Sequence, residues 1–192
     1  GPETVAAKAR RLRAAQTEWE AIGPRGRKKW LMLWQDWVLD NADLLTEVLM
    51  NETGKSRGDA SIEAVLIADA IKYWAGNAEE FLADRHPGAH SPLFKVKKLT
   101  TVYRPYPLVG MIEPWNFPLA MLALDLVPAL AAGAAVLLKP SEVTPLSAVE
   151  LARGWKETGA PAVFELATGY GATGVSVIEN SDYVHFTEST GT

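Results

Sequence analysis

An asparagine stands directly after an apolar run that has the length and residue types of a buried strand. The run is Leu108 to Ile112, and Glu113-Pro114-Trp115-Asn116 follows it. Open α/β folds bind ligands where their strands end, so the Asn116 amide could donate a hydrogen bond to an oxyanion that develops during a reaction. The position also suits a turn residue ahead of Pro118, which can start a helix. These residues alone leave both interpretations open.

A lysine and a carboxylate follow the next apolar run, in Leu138-Lys139-Pro140-Ser141-Glu142. If the two runs are neighbouring parallel strands, Lys139 and Glu142 can reach the same crevice as Asn116. A carboxylate can accept both hydrogen bonds of a diol, so this pair suits the ribose hydroxyls of a nucleotide. A surface ion pair is the alternative for the same two residues.

Glycines recur in Gly169-Tyr170-Gly171-Ala172-Thr173-Gly174, a G-x-G-x-x-G pattern between a predicted strand and a predicted helix. In dinucleotide-binding folds this pattern brings backbone and a helix N-terminus close to a pyrophosphate. That fingerprint belongs on the first strand-helix turn, whereas here it follows at least two such units. A phosphate loop around Gly171 and Gly174 and a purely structural turn both stay open. A plain dinucleotide-binding domain that works through this loop is one possible function.

Strand and helix patterns alternate from Leu108 onwards, and these elements must position the residues above. Thr144 as N-cap with Pro145 gives one helix a clear start, and Gly159 gives it a stop. The predicted strands are 108–112, 134–138, 163–167 and 183–186, with helices at 118–132, at 145–158 and after the glycine-rich turn. This series predicts an α/β fold with a doubly wound, Rossmann-like parallel sheet, covered on both faces.

The first third of the chain is helical by its hydrophobic period. Three amphipathic helices are predicted, separated by Gly23-Pro24 and by Thr53-Gly54-Lys55-Ser56. We expect their apolar residues to face the core and two basic clusters to form solvated helix faces. The expected core residues are Val5, Leu12, Trp19, Ile22, Trp30, Leu33, Trp34, Trp37, Val38, Ile62, Val65, Leu66, Tyr73, Trp74 and Phe81. The basic clusters are Lys8/Arg10/Arg11/Arg13 and Arg25/Arg27/Lys28/Lys29.

A stretch rich in Lys, Val and Thr, from Phe94 to Arg104, follows these helices and suggests an extended, exposed β arm. The chain therefore divides into three predicted parts. Residues 1–90 form N-terminal helices that pack on the cofactor domain, residues 91–106 form the arm, and residues 107–192 form an incomplete Rossmann-like domain.

Composition argues against several classes of function. The net charge is -4 and the pI is about 5.4, so the basic surface that nucleic-acid binding needs is lacking. The longest apolar stretch, 117–138, contains Asp125, Pro128 and Gly133, so we expect no membrane span. The sequence has no cysteine, which fits a reducing compartment, and we expect the cytoplasm. Its 3 histidines show no ligand spacing, so we expect no metal.

The run from Val102 to Gly174 resembles the cofactor domain of the aldehyde dehydrogenase superfamily. Upstream, Trp30 to Lys55 resembles the helical N-terminal layer of that family, and Phe186-Thr187 is similar to its next motif. The blocks that carry the resemblance are Pro114-Trp115-Asn116-Phe117-Pro118, Ala131-Ala132-Gly133, Leu138-Lys139-Pro140-Ser141-Glu142 and Thr144-Pro145-Leu146.

The resemblance implies a role for individual residues. Asn116 matches the oxyanion-hole asparagine, the one catalytic residue expected here. A carboxylate at Glu142 would repel a 2'-phosphate, so the implied cofactor is NAD rather than NADP. The arm resembles part of an oligomerisation element, which implies a homo-oligomer, dimer or tetramer. With the two glycines of the loop, the expected cofactor-binding residues are Ile112, Pro114, Trp115, Lys139, Ser141, Glu142, Gly171, Gly174 and Ser189.

Two departures from the family pattern bear on function. Glu188 stands where the pattern has glycine, so charge and bulk oppose pyrophosphate there. The nucleophilic cysteine and glutamate base of the family come from a region after Thr192, so we expect the catalytic domain to be absent and this chain alone to be inactive. The leading hypothesis is the cofactor-binding half of an enzyme that oxidises an aldehyde to a carboxylic acid. The alternative is a truncated or degenerate nucleotide-binding or assembly module without catalysis.

Overall fold

A computed structural model describes residues 1–187 of the chain. The helices are α1 Pro2–Ala21, α2 Gly23–Asp40, α3 Ala42–Thr53, α4 Arg57–Phe81, α5 Ala120–Ala132, α6 Leu146–Glu157 and α7 Gly171–Glu179. The strands are β1 Leu108–Ile112, β2 Ala135–Lys139, β3 Phe164–Leu166 and β4 Tyr183–Phe186. Within this described range, no helix is both long and apolar enough to cross a membrane.

The four strands form one parallel sheet in the order β3-β2-β1-β4. The crossovers through α5 and α6 step in one direction along the sheet, and the crossover through α7 steps back. Because such crossovers are right-handed, α5 and α6 cover one face and α7 covers the other. The predicted α/β, doubly wound parallel sheet is confirmed, and each predicted strand agrees with an observed one to within one residue at either end.

Side chains of β1 alternate between the two faces of the sheet. A side chain at Gly110 would collide with Val177 of α7, and the end of Ile112 lies beside Gly174 of the same helix. Val109 and Met111 point the other way, where they line a cavity together with Asp125 of α5. The carboxyl end of β1 therefore presents residues to two different surfaces.

The N-terminal region contains four helices rather than the three predicted. Asn41 ends α2, and α3 begins immediately after it, at a break that hydrophobic period alone does not reveal. Helix α1 packs on α7 and β2, whereas α2, α3 and α4 pack against α5 and α6. Trp155 of α6 connects the sheet domain to α1 and α2. Its ring makes edge-on contacts with Trp19 at 5.7 Å and with Trp34 at 5.2 Å between ring centroids.

Helix α4 turns a different face to the core from the one predicted. Several of the large apolar residues expected inside are exposed, with Ile62 56% and Val65 64% accessible. The buried face is rich in alanine and also carries Ile67 and Ile71. Small side chains let helices approach closely, and α4 uses them against α2 and α5. The other exposed members of the predicted face are Leu66, Tyr73 and Phe81.

One arginine of the predicted solvated clusters is in fact buried. Arg27 is 3% exposed, and its guanidinium donates to the carbonyls of Ala131 and Ala132 at the end of α5, at 2.9 and 3.4 Å. It also donates to the carbonyls of Trp19 and Glu20 at the end of α1, both at 3.1 Å. Burial lowers the pKa of Arg27 from its usual value. The carbonyl groups at the end of α5, which have no partner within the helix, thus accept hydrogen bonds from a side chain of α2.

The predicted β arm at 91–106 forms no strand in this chain. It contains a short 3-10 helix, Pro92–Phe94, and beyond that a single bridge between Thr101 and Arg85. A β-strand needs a hydrogen-bonded neighbour, and the described residues supply none along the rest of the arm. Leu93 and Val96 are 79% and 87% exposed, so the arm lies on the surface.

Candidate cofactor and active site

A cleft of 330 Å³ lies at the carboxyl edge of the sheet, where the loops after β1, β2 and β4 meet. This is the edge at which the sequence places its candidate residues. The residues that line the cleft are Pro114, Trp115, Asn116, Met121, Ser141, Glu142, Val143 and Thr187.

Asn116 is exposed in the loop between β1 and α5. Its side-chain oxygen accepts a hydrogen bond from the backbone N–H of Phe117 at 3.1 Å. The side-chain NH2 has no acceptor among residues 1–187, which leaves both of its protons for a group in the cleft. The side-chain oxygen therefore stabilises the local turn, while the oxyanion interpretation of Asn116 stays a prediction.

Lys139 and Glu142 form an ion pair at the end of β2. Lys139 is 3% exposed, and its ammonium donates to a Glu142 oxygen at 3.1 Å and to the Pro140 carbonyl at 3.2 Å. A backbone hydrogen bond lowers the pKa of Glu142, and the Lys139 contact lowers it further. The Glu142 carboxylate is therefore ionised at neutral pH and held at the rim of the cleft. The Ser141 hydroxyl accepts from the Val143 N–H at 3.2 Å and shapes the turn between them.

The glycine-rich loop leads directly into α7. Gly169 has a φ of +151°, and a Cβ there would collide with the Thr173 side chain, so the loop needs glycine at this point. Gly171 opens the helix with open space around it, and no side chain caps that N-terminus. Gly174 is buried against the stems of Lys139 and Ile112. The loop thus joins the N-terminus of α7 to the end of β2.

Two carboxylates from the N-terminal helices, Glu63 and Glu52, hold the loops of the cleft, a role that no local sequence pattern predicts. Glu63 is 1% exposed, and one of its oxygens accepts from the N–H groups of Leu119 and Ala120, both at 3.0 Å. Its other oxygen pairs with Lys55, whose ammonium lies 3.9 Å from the centre of the Phe117 ring. Glu63 and Lys55 therefore fix the segment that carries Asn116.

Glu52 holds the start of α6 in the way that Glu63 holds the start of α5. Its carboxylate accepts from the N–H of Leu146 at 2.7 Å and from that of Ser147 at 3.0 Å. Thr144, the predicted N-cap, instead donates to the carbonyl of Trp115 at 3.3 Å and ties two loops of the cleft together. The predicted capping role of Thr144 was wrong, because a carboxylate about 90 residues earlier in sequence occupies that position.

The structure brings most of the predicted site residues together. Pro114, Trp115, Asn116, Ser141 and Glu142 line the cleft. Four other predicted residues do not line it. Ile112 and Lys139 are buried at the ends of β1 and β2, and Gly171 and Gly174 belong to α7. Ser189, like Glu188, lies outside the described residues.

The sequence model of the aldehyde dehydrogenase family matches residues 1–192. The chain belongs to the aldehyde dehydrogenase family. A Mycobacterium tuberculosis protein provisionally named succinate-semialdehyde dehydrogenase (NADP+) 2 is 38% identical over 183 residues, which is 94% of this chain and 35% of that protein.

Solved aldehyde dehydrogenases share the fold. One from Bacillus cereus, in complex with NAD+, superposes with a TM-score of 0.91 at 28% identity, over 98% of this chain and 39% of that one. An Escherichia coli structure described as an NADP-dependent enzyme gives a TM-score of 0.90 at 29% identity, over 97% of this chain and 39% of that one. The chain thus spans little more than a third of the length of the family members it matches.

Proposed function

We propose that this chain is the N-terminal, cofactor-binding part of an NAD-dependent enzyme that oxidises an aldehyde to a carboxylic acid. The observation that carries this proposal is the convergence of Asn116 and Glu142 on one cleft, from the ends of two adjacent parallel strands. An amide donor and a carboxylate acceptor there suit a reacting oxyanion and a ribose diol, respectively.

The donors and acceptors of the site fit a dinucleotide. The Glu142 carboxylate can accept from ribose hydroxyls, and Lys139 holds it in place through their 3.1 Å contact. The uncapped N-terminus of α7 offers N–H groups to a pyrophosphate. Pro114 and Trp115 offer apolar surface for the nicotinamide end. When bound, NAD would supply the hydride acceptor of the reaction.

The part assigned to this chain in the chemistry is oxyanion stabilisation. A thiolate attacks the aldehyde carbon, and the Asn116 NH2 donates to the oxygen that becomes negative. The sequence has no cysteine, so this proposal assigns the thiolate and the general base to residues outside these 192. Lys55 and Glu63 act as positioning residues, because they fix the loop that aims the Asn116 side chain.

NAD is proposed over NADP because an ionised Glu142 would face the 2'-phosphate of NADP. The mycobacterial relative carries NADP+ in its name. The preference of this protein for NAD+ or NADP+ is therefore the sharpest test of the role assigned to Glu142. In the complete protein we expect NAD+ to bind more tightly than NADP+, and Glu142→Gln to reduce that preference at least about tenfold, the equivalent of about 1.4 kcal/mol.

Calorimetric titration with each cofactor measures this preference, with Glu150→Gln on α6 as the control. A preference for NADP+ in the unaltered protein would overturn the assignment of NAD. Failure of both cofactors to bind would overturn the proposed function itself. Turnover is then assayed with succinate semialdehyde first, because the relative's name supplies that substrate. The cytoplasmic location stays a prediction from the sequence.

A non-catalytic nucleotide-binding or assembly module is the second candidate, and Glu188 is the observation that favours it. This candidate predicts weak or absent NAD binding and no dehydrogenase activity. Glu188→Gly is its test. If the glycine variant binds NAD+ no more tightly than the unaltered protein, then the hypothesis that Glu188 keeps the pyrophosphate of NAD out of the site is wrong.

A further inference from the structure

Three side chains that commonly bind metals meet on the α5 face of the sheet. Glu113 follows β1, Asp125 belongs to α5, and His185 belongs to β4. One ligand atom from each lies within 4.8 Å of the other two. The expectation of no metal rested on linear spacing, which cannot reveal a group assembled from three separate elements.

The register of the sheet explains why they meet. Met111 of β1 pairs with His185 of β4, and side chains two residues apart on a strand point to the same face. Glu113 therefore projects from the same face as His185. Asp125, on the helix that covers this face, completes the group.

Glu113 is the most unusual member of the group. It is 1% exposed, and among the described residues neither of its carboxylate oxygens has a hydrogen-bond partner. Burial, with a smaller contribution from the nearby Asp125 carboxylate, raises the pKa of Glu113 to about 8. Buried carboxylates in proteins are normally paired with a charge, hydrogen-bonded or bound to a metal. Glu113 has no hydrogen-bond partner of this kind among the described residues, so a metal ligand role would account for it.

The other two side chains are already close together. The Nε2 of His185 lies 2.9 Å from an Asp125 oxygen and 3.0 Å from the Thr187 hydroxyl. Two ligand atoms on one tetrahedral zinc ion are about 3.4 Å apart, given bonds of about 2.1 Å. The described arrangement therefore needs only small movements to place three ligand atoms around one ion.

Access to the group is open from one side. Asp125 and His185 are partly exposed, and both line a cavity of 260 Å³ on the α5 face. Water from this cavity can occupy a fourth coordination position. The cavity is bounded by α5 and β4, whereas Lys139 and Ile112 lie against Gly174 of α7, on the other face of the sheet.

We propose that Glu113, Asp125 and His185 bind a divalent transition-metal cation such as Zn²⁺. Two carboxylates and an imidazole are a ligand set that zinc accepts. The ion connects the end of β1, α5 and the edge strand β4, so it stabilises the folded chain. This inference is independent of the proposed function, because cofactor binding uses other residues.

Calorimetric titration of the complete, chelator-treated protein with zinc chloride tests the proposal. We expect one zinc equivalent that Glu113→Gln weakens by more than about tenfold, with the same result for Asp125→Asn and His185→Gln. His86→Gln, a change to an exposed histidine in the loop after α4, is the matched control and keeps that equivalent. Any zinc held elsewhere in the protein is unaffected by all four changes.

Two further readouts distinguish binding from a folding defect. Zinc should raise the thermal midpoint of the unaltered protein but not that of the three site variants. Binding near neutral pH should also release protons, because Glu113 must lose its own, and Glu113→Gln should release fewer. Glu113→Gln keeps the shape of the side chain, so it is expected to fold. Equal zinc stoichiometry and affinity in the unaltered protein and in the folded site variants would overturn the proposal.

Discussion

At the scale of single residues, the proposed role of Asn116 depends on how its side-chain amide is held. Its side-chain oxygen is occupied by the Phe117 N–H, and this bond fixes the direction of the NH2 group. If the complete protein has the proposed activity, we expect Asn116→Ala to lower kcat by about a hundredfold to a thousandfold, the usual effect of one oxyanion donor. NAD+ affinity should be unchanged. Steady-state kinetics measures this, with Asn77→Ala on α4 as control, and an unaltered kcat would show that the assigned role is wrong.

Glu113 makes a prediction about pH that is independent of metal. Its pKa is raised to about 8, against an ordinary value near 4.5, and the charged groups that face it are Asp125 and His185. The folded state therefore holds more proton than the unfolded state between these two values. Its stability falls as pH rises through that window, by at most about 1.4 kcal/mol per pH unit.

Urea unfolding in the presence of a chelator, at intervals from about pH 5 to about pH 8, measures this dependence. Glu113→Gln cannot titrate, so its stability should gain steadily on that of the unaltered protein as pH rises. Glu150→Gln provides the control for loss of an ordinary carboxylate. Parallel pH profiles for the unaltered protein and Glu113→Gln would contradict the raised pKa.

The residues of the cleft could be predicted from sequence because each directly follows an apolar run of strand length. Asn116 and Glu142 are examples, since parallel strands bring their carboxyl ends to one edge. Glu52 and Glu63 could not be found this way. Their partners are distant in sequence, and nothing in the local pattern distinguishes them from surface glutamates. Glu113 does follow such a run, but the pattern does not reveal that Asp125 and His185 meet it.

At the scale of elements, α5 and α6 begin on carboxylates that α4 and α3 supply. Glu63→Ala removes a buried partner from Lys55 and from two N–H groups, so it should cost about 3 kcal/mol of unfolding free energy. Glu52→Ala removes only a helix cap and should cost about 1 kcal/mol. Glu47→Ala breaks an exposed pair with Arg57 and should cost less than about 0.5 kcal/mol.

Urea unfolding of the three variants gives this ranking directly. Equal losses for Glu63→Ala and Glu47→Ala would mean that the N-terminus of α5 does not depend on Glu63. A fall in kcat for Glu63→Ala at unchanged NAD+ affinity would further support its positioning of the Asn116 loop.

The fully buried strands β1 and β2 could be predicted from sequence, whereas the buried face of α4 could not. A fully buried strand is a short continuous apolar run, which is visible in sequence without knowledge of its neighbours. A helix can bury small residues where it crosses another helix closely, as α4 does with its alanines. Hydrophobicity then favours the wrong face, because the larger apolar residues Ile62 and Val65 are the exposed ones.

At the scale of the whole molecule, the arm at 91–106 is largely exposed and has a single backbone bridge, from Thr101 to Arg85, in this chain. We propose that it pairs with a second copy, as the family resemblance implies. Val96→Lys should then shift the complete protein towards smaller species, because a charge replaces a side chain that is 87% exposed here. Leu39→Lys, at a residue that is 53% exposed on α2, is the control. Sedimentation velocity measures the distribution, and an unchanged one would exclude the arm from assembly.

The side chains that complete the sheet domain have a consequence for recombination between relatives. Arg27, Glu52 and Glu63 satisfy backbone groups of α5 and α6, although all three precede residue 90. A chimaera that exchanges only residues 107–187 keeps its strands. At both ends of α5 and at the start of α6, however, the capping side chains then come from a different relative. Exchanges that carry the first ninety residues along with the sheet keep every one of these contacts. The helical layer and the sheet should therefore be inherited together, and recombination between their coding regions should give less stable proteins.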